Sequence, residues 1–403
     1  MTETTAGVVI VGAGLAGAKT AEALRTQNYA GPVTLVGAET ELPYERPPLS
    51  KGYLAGKDGF DKAVVHPESW YGENRVELVR GTAVTAIDRA APAVELADGR
   101  RVPYETLVLA TGAEPRRLPL PGAESALTLR TRADSDRIRE TFGEGRRLVV
   151  IGGGWIGLEV AAAARGAGTE VTVLEAADLP LLAVLGPEIA PVFADLHRAN
   201  GVDLRTGARI TAITGTGVQL ADGSEVPADA VVIGVGVRPR TELAEAAGLE
   251  VDDGVLVDAA LHTSDPAIFA VGDIANHDHP TLGRRIRVEH WANALNQPKA
   301  VAATIAGAEQ AYENLPYFYS DQYHLGMEYV GHAPAGGYAR VVTRGDVSGR
   351  EFVAFWLDGD DRILAAMNVN VWDVPDAVKP LINERKQVDV ERLADPDVPL
   401  TEL

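Results

Sequence analysis

The feature that most constrains this chain is a duplicated glycine pattern. Val8-Val9-Ile10-Val11-Gly12-Ala13-Gly14-Leu15-Ala16-Gly17 is echoed by Leu148-Val149-Val150-Ile151-Gly152-Gly153-Gly154-Trp155-Ile156-Gly157, the first glycines lying 140 residues apart. Each G-x-G-x-x-G follows an unbroken apolar, β-branched run, the pattern of a buried parallel strand, and opens an Ala-rich helical run. In that setting the first glycine permits a tight turn and the second lets a pyrophosphate approach the backbone. The third lets helix pack on strand, so that the phosphates meet the positive helix N-terminus. A second echo pairs Val102-Pro103-Tyr104, leading to Leu107-Val108-Leu109-Ala110-Thr111-Gly112, with Val226-Pro227-Ala228, leading to Val231-Val232-Ile233-Gly234-Val235-Gly236. The chain reads as α/β, with two related Rossmann-like dinucleotide-binding units.

The two units differ in one carboxylate. Glu175 closes Val171-Thr172-Val173-Leu174-Glu175, 18 residues past Gly157, about where an acid accepts hydrogen bonds from an adenosine ribose. It would repel a 2′-phosphate, so the second site is expected to favour NADH over NADPH. The first unit ends Val33-Thr34-Leu35-Val36-Gly37-Ala38-Glu39, with no acid at the strict equivalent, and Glu39 is expected to reach the ribose from slightly further on.

Composition closes other routes. A chain of 403 residues suggests two or three domains at roughly 150 residues each. It has no Cys, which removes thiolate metal ligands, iron–sulfur ligation, Cys nucleophiles and redox disulfides. A formal charge of −20 argues against nucleic acid or anionic membrane as partner, because a phosphate-binding surface must be basic. Met1-Thr2-Glu3-Thr4-Thr5 lacks the positive region of a signal peptide, and the apolar run Val8 to Ala18 is too short to span a bilayer. A soluble, cytoplasmic protein is expected.

One segment is more specific. Leu42-Pro43-Tyr44-Glu45-Arg46-Pro47-Pro48-Leu49-Ser50-Lys51, with Leu109-Ala110-Thr111-Gly112, Leu129-Arg130-Thr131, Ala270-Val271-Gly272-Asp273-Ile274-Ala275 and Glu289-His290-Trp291-Ala292-Asn293-Ala294, closely resembles the flavoprotein NADH:ferredoxin reductases of oxygenase systems. These are the putidaredoxin reductase-like enzymes; apoptosis-inducing factor is a more distant likeness. The resemblance implies a glutathione reductase-like fold: a discontinuous FAD domain (1–112 and 241–314), an NAD domain (113–240) and a smaller α/β C-terminal domain (315–403). It implies FAD and NAD as cofactors, with Lys51 at the reactive flavin nitrogen and Glu159 as its ion partner, the two catalytic residues. FAD would be held by Gly12, Gly14, Ala16, Gly17, Glu39, Arg46, Ala83, Ala110, Thr111, Gly112, Arg130, Gly272, Asp273, Glu289, His290, Trp291 and Tyr319. NAD would be held by Gly152, Gly154, Ile156, Gly157 and Glu175. The implied activity is hydride acceptance from NADH and single-electron delivery to a [2Fe-2S]-type ferredoxin that feeds an oxygenase or cytochrome P450. The expected assembly is a monomer or weak dimer.

Departures from that pattern leave alternatives open. Tyr319 stands in Phe318-Tyr319-Ser320-Asp321-Gln322 where relatives usually carry Trp, and Leu179 and Ala183 stand where they often carry Arg. A diaphorase, oxidase or rubredoxin reductase, and an NADH-sensing flavoprotein with redox-controlled assembly, are the competing readings. Arg284-Arg285-Ile286-Arg287 offers either a positive landing area for an acidic ferredoxin or a hairpin of solvated arginines. Asn276-His277-Asp278-His279 reads as an exposed polar loop rather than a metal site, and the acid-rich C-terminal stretch from Glu351 as a solvated face.

Overall fold

The computed structural model describes residues 6–403; Met1–Thr5, which carry part of the leader argument, lie outside the described residues. The chain forms two compact units. The first comprises the residues up to Arg46, Phe60–Glu114 and Val237–Pro316, and the second Pro47–Gly59, Pro115–Gly236 and Tyr317–Leu403.

In the first unit, parallel strands lie in the order Val76–Val79, Val33–Val36, Gly7–Val11, Arg101–Leu109, Ile268–Ala270. Val8–Val11 and Val33–Val36 are buried throughout, as a strand covered on both faces must be. Helix Leu15–Thr26 makes the crossover between them and packs along helix Trp291–Ile305. Both helices bury small side chains, including Ala18, Ala21, Ala300 and Ala302, which favours close helix packing.

The second unit repeats the scheme. Its parallel strands run Asp203–Arg205, Glu170–Leu174, Arg147–Ile151, Ala230–Ile233, with helix Trp155–Gly166 as the equivalent crossover. The second sequence echo also has a structural form. In the first unit the antiparallel strands Val84–Asp88 and Ala93–Leu96 lead into the start of Arg101–Leu109, whose end joins the parallel sheet. In the second, Ile210–Ile213, Gly217–Leu220 and Glu225–Pro227 form the matching meander before Ala230–Ile233.

From Tyr317 the chain builds a five-stranded antiparallel sheet in the order Tyr317–Gln322, Leu325–Gly331, Ile363–Val369, Glu351–Leu357, Arg340–Asp346, backed by helix Val374–Asn383. Phe352 to Leu357 are all buried, and Phe352 and Trp356 join one core with Leu148, Val150, Leu158 and Phe193. This sheet is therefore anchored on the second nucleotide fold; truncating a core aromatic such as Trp356 costs about 3–5 kcal/mol. No helix among the described residues is long and apolar enough to cross a membrane.

Candidate active site

Both glycine turns have the geometry of a phosphate cradle. At Gly12, φ is +112°, and a Cβ would lie 2.1 Å from the Ala110 carbonyl oxygen; at Gly17 it would lie 1.9 Å from the Gly12 oxygen. These two glycines are required by packing. Gly14 differs: a Cβ there would meet nothing within 4 Å, although Gly14 is the N-cap of helix Leu15–Thr26 and no side chain caps that end. The second turn behaves in the same way. A Cβ at Gly152 would lie 2.5 Å from the Gly234 oxygen and one at Gly157 2.1 Å from the Gly152 oxygen, whereas at Gly154 the nearest atom is 3.9 Å away. Helix Trp155–Gly166 likewise starts without a side-chain cap. Open space beside first-turn N–H groups that no side chain serves is what an anionic pyrophosphate requires. The residues present therefore fit FAD and NAD.

The two carboxylates expected at a ribose sit differently. Glu175 turns back on the second glycine loop, accepting the Gly153 N–H at 2.6 Å and the Ala177 N–H at 2.8 Å, which fixes its side chain at the cradle. Ile156, in the first turn of the same helix, is 44% exposed, unusual for a large apolar side chain. Glu39 instead accepts from Arg46 at 2.8 Å and from the Tyr44 hydroxyl, so the structure joins Glu39 and Arg46 in one group.

The remaining first-unit candidates gather around the second helix start. The Gly272 N–H donates to the buried Gln297 side chain at 2.7 Å, and a Cβ on Gly272, where φ is +76°, would lie 3.2 Å from Ala16 Cβ. Asp273 follows in a 3-10 turn. His290 is the N-cap of helix Trp291–Ile305, and the Trp291 indole donates to Glu45 at 2.8 Å. Glu289 accepts from Arg287 at 2.7 Å. Ala110 pairs its N–H with Val11 at 2.8 Å, the Thr111 hydroxyl donates to the Arg240 carbonyl at 3.0 Å, and Gly112 takes φ +70°. The last two candidates are Ala83, in the first unit, and Arg130, in the second. Ala83 is exposed, its carbonyl accepting from Ala97, and the Arg130 N–H donates to Asp134 in the capping box of helix Arg132–Arg139.

In the second unit Lys51 and Glu159 meet as the sequence anticipates. The Lys51 ammonium is 2.8 Å from Glu159 Oε1, with side-chain exposures of 16% and 3%. A carboxylate so buried needs more than one donor, because desolvating it unpaired would cost several kcal/mol. It has three: Lys51, the Ser50 hydroxyl on Oε2, and the Ser320 hydroxyl on Oε1 at 2.7 Å. The Tyr319 ring lies 5.2 Å from the same ammonium, a cation–π contact that adds attraction at Lys51. The two serines were legible only as neighbours of named residues, Ser50 before Lys51 and Ser320 after Tyr319.

Two expectations change. Of the arginine run, Arg287 is 7% exposed and paired with Asp253 at 3.2 Å and Glu289 at 2.7 Å. Arg285 donates to the Val257 and Asn276 carbonyls at 2.8 and 2.6 Å. Arg285 and Arg287 therefore brace the strand pair Ala275–His279 and Arg284–Ile286, while Arg284 and Arg285 remain exposed, so only Arg287 is withdrawn from the surface. His277 and His279, expected in an exposed loop, are 2% and 1% exposed and bond the Ala259 and Asn314 carbonyls. Burial pulls the His277 pKa down to about 4, against the Ala259 hydrogen bond. No group of three metal-ligating side chains occurs among the described residues.

Two Rossmann-type glycine turns in one chain, with a carboxylate held at the second, and a buried ammonium–carboxylate pair are what a two-nucleotide oxidoreductase requires. The chain belongs to the pyridine nucleotide-disulphide oxidoreductase family, whose model matches residues 6–297, and residues 317–403 match the reductase C-terminal domain. It is 45% identical over 399 residues to the anthranilate 1,2-dioxygenase system ferredoxin–NAD(+) reductase component of Burkholderia cepacia, covering 97% of this chain and 98% of that one. It is 42% identical to putidaredoxin reductase of Pseudomonas putida, covering 98% and 96% of the two chains. The solved covalent putidaredoxin reductase–putidaredoxin complex superimposes with a TM-score of 0.94 at 41% identity, over 99% of this chain and 98% of that chain.

Proposed function

We propose that this protein is an FAD-dependent NADH:ferredoxin reductase that delivers single electrons to a [2Fe-2S]-type ferredoxin serving an oxygenase or cytochrome P450. The observation that carries the reading is the pairing of two open glycine cradles with the buried Lys51–Glu159 ion pair in a chain without Cys. The absence of Cys matters because a disulfide relay is the other way for a protein of this family to pass electrons on. Bound FAD supplies the conversion of a two-electron hydride into single-electron departures, which no side chain performs.

The chain's own residues divide the remaining work. The uncapped N–H groups at Leu15–Gly17 would hold the FAD pyrophosphate, with Gly272, Asp273, Trp291, Arg46 and Arg130 as further candidates for its binding set. The N–H groups at Trp155–Gly157 would hold the NADH pyrophosphate and Glu175 its adenosine ribose, with the exposed Ile156 available for an apolar contact. Lys51 would present its ammonium to the redox-active ring, and Glu159, itself held by Ser50 and Ser320, holds that ammonium in place. The Tyr319 ring adds a cation–π contact to the same ammonium.

The proposed domains are 1–112 with 241–314 for FAD, 113–240 for NAD, and 315–403 for the acceptor-facing region, the last supported by the C-terminal family match. A cytoplasmic location belongs to the same reading, since both NADH and such ferredoxins are found there. The test is cytochrome c reduction by NADH with and without added ferredoxin. Ferredoxin-dependent turnover supports the reading, and dye reduction indifferent to ferredoxin favours a diaphorase.

A further inference from the structure

A line of buried polar side chains leads away from Glu159 and is not used above. Ser320 Oγ, which bonds Glu159 Oε1 at 2.7 Å, also lies 3.1 Å from Gln322 Nε2. Gln322 Oε1 lies 2.8 Å from His197 Nε2, and the Tyr323 hydroxyl lies 3.3 Å from His197 Nδ1. Ser320, Gln322 and His197 are 0%, 1% and 0% exposed. Ser320 and Gln322 are two apart on strand Tyr317–Gln322, so both side chains take the same face, and His197 comes from the last turn of helix Leu182–Ala199.

The proton on each link follows from the carboxylate end. An ionised carboxylate only accepts, so the single Ser320 proton points to Glu159. Ser320 Oγ must then accept from Gln322, which presents its amide N–H and leaves its carbonyl for His197. Reversing the amide would set two acceptors face to face. The carbonyl in turn requires an N–H on His197 Nε2, which leaves Nδ1 as an acceptor for the Tyr323 hydroxyl. Every link donates toward Glu159, and in such a chain each bond polarises the next.

We infer that His197 and Gln322 are positioning residues for the Lys51–Glu159 pair, holding the Ser320 hydroxyl as a donor to Glu159 through a one-way hydrogen-bond chain fixed by the Nε2–H tautomer of His197. Burial, opposed by the Gln322 hydrogen bond, lowers the His197 pKa to about 4, so the imidazole is neutral with one N–H near neutral pH. A neutral relay of this kind orients a carboxylate without adding a second buried charge.

The inference rests on the reading of Lys51 and Glu159 as redox-site residues, but its first test does not. In FAD-loaded protein labelled with 15N, long-range 1H–15N spectra at pH 7 report the tautomer of each histidine, with assignment by loss of signals in His197→Gln. Nε2–H is expected; Nδ1–H, or a protonated ring, overturns the chain. The second test is single-turnover reduction of the bound flavin by NADH. His197→Phe, which fills the space without a donor, should slow reduction about fivefold, the size of one net hydrogen bond, with NADH affinity unchanged. His197→Gln, whose amide N–H falls near the position of Nε2, should restore most of the rate. Equal rates in the two variants, or rates that follow their melting temperatures, refute the positioning role. If Lys51→Ala reduces at the wild-type rate while His197 is the Nε2–H tautomer, the reading of the redox site fails and the geometry of the chain stands.

Discussion

Replacing Gly154 by Ala separates ligand binding from folding. Gly154 has φ −79° and ψ 178°, extended backbone open to any residue, and its nearest Cβ neighbour would be 3.9 Å away. The folded protein should therefore tolerate the methyl within about 0.5 kcal/mol, or gain slightly from a stiffer unfolded chain. The same methyl stands in the space assigned to the NADH pyrophosphate. Pushing that group from the helix N–H donors forfeits at least one charge-assisted hydrogen bond, about 1.5–3 kcal/mol, or roughly 10- to 100-fold in affinity. Gly157→Ala is the contrasting substitution. Its methyl would come 2.1 Å from the Gly152 oxygen, a strand–helix contact that cannot open without moving the turn, and a loss of about 1–3 kcal/mol in stability is expected. Urea denaturation and NADH titration of the FAD-loaded protein measure both quantities. If Gly154→Ala binds NADH within twofold of wild type, the second cradle is not a pyrophosphate site. The same comparison of Gly14→Ala with Gly17→Ala, read as FAD content after purification, tests the first.

Other substitutions test single residues. Glu175→Ser removes the charge that would repel a 2′-phosphate, and should raise kcat/KM for NADPH at least tenfold relative to NADH; an unchanged ratio removes Glu175 from cofactor choice. Lys51→Ala leaves Glu159, 3% exposed, with only two hydroxyl donors, and should destabilise the protein by about 3 kcal/mol while slowing flavin reduction in stopped flow. Glu159→Gln should cost less stability than Lys51→Ala, because Lys51 retains some solvent; the reverse order in urea melts contradicts the assigned burial. His197 and His277, both held near pKa 4 in the fold, lie below the ordinary imidazole value, so the unfolded chain binds protons that the folded one refuses. Stability is complete above pH 6.5 and declines as pH falls toward 4, by up to about 3 kcal/mol for each residue, and replacing His277 with Phe should flatten the urea midpoint over that range.

How much of this was legible in sequence depended on how local the signal is. Both cradles were readable because Gly12, Gly14 and Gly17, like their counterparts, act within a few residues of one another, at a turn whose flanking strand and helix have distinct periods. Lys51 and Glu159 are 108 residues apart, and nothing in their spacing pairs them; the Pro-Pro-Leu-Ser-Lys motif and the second glycine helix did so by resemblance. His197 and Gln322 had no signal at all, since a helix histidine and a strand glutamine are ordinary until the C-terminal sheet packs against the second nucleotide fold. Arg287 misled for the opposite reason. Clustered arginines read as surface, which holds for Arg284 and Arg285, but two acids within reach, Asp253 and Glu289, draw Arg287 inward. His277 and His279 were misread in the same way, because Tyr312 and the carbonyls that enclose them come from distant parts of the chain.

The central claim is that electrons enter from NADH and leave one at a time to a ferredoxin. An anaerobic titration of the purified holoprotein with NADH, followed by stopped-flow mixing with an oxidised [2Fe-2S] ferredoxin, tests it most directly. The expected result is stoichiometric bleaching of a flavin spectrum by NADH, far faster than by NADPH, and return of its colour as two equivalents of ferredoxin are reduced. A protein that purifies without FAD at both neutral and mildly acidic pH, or one whose NADH-reduced flavin transfers nothing to any [2Fe-2S] ferredoxin offered, contradicts the claim.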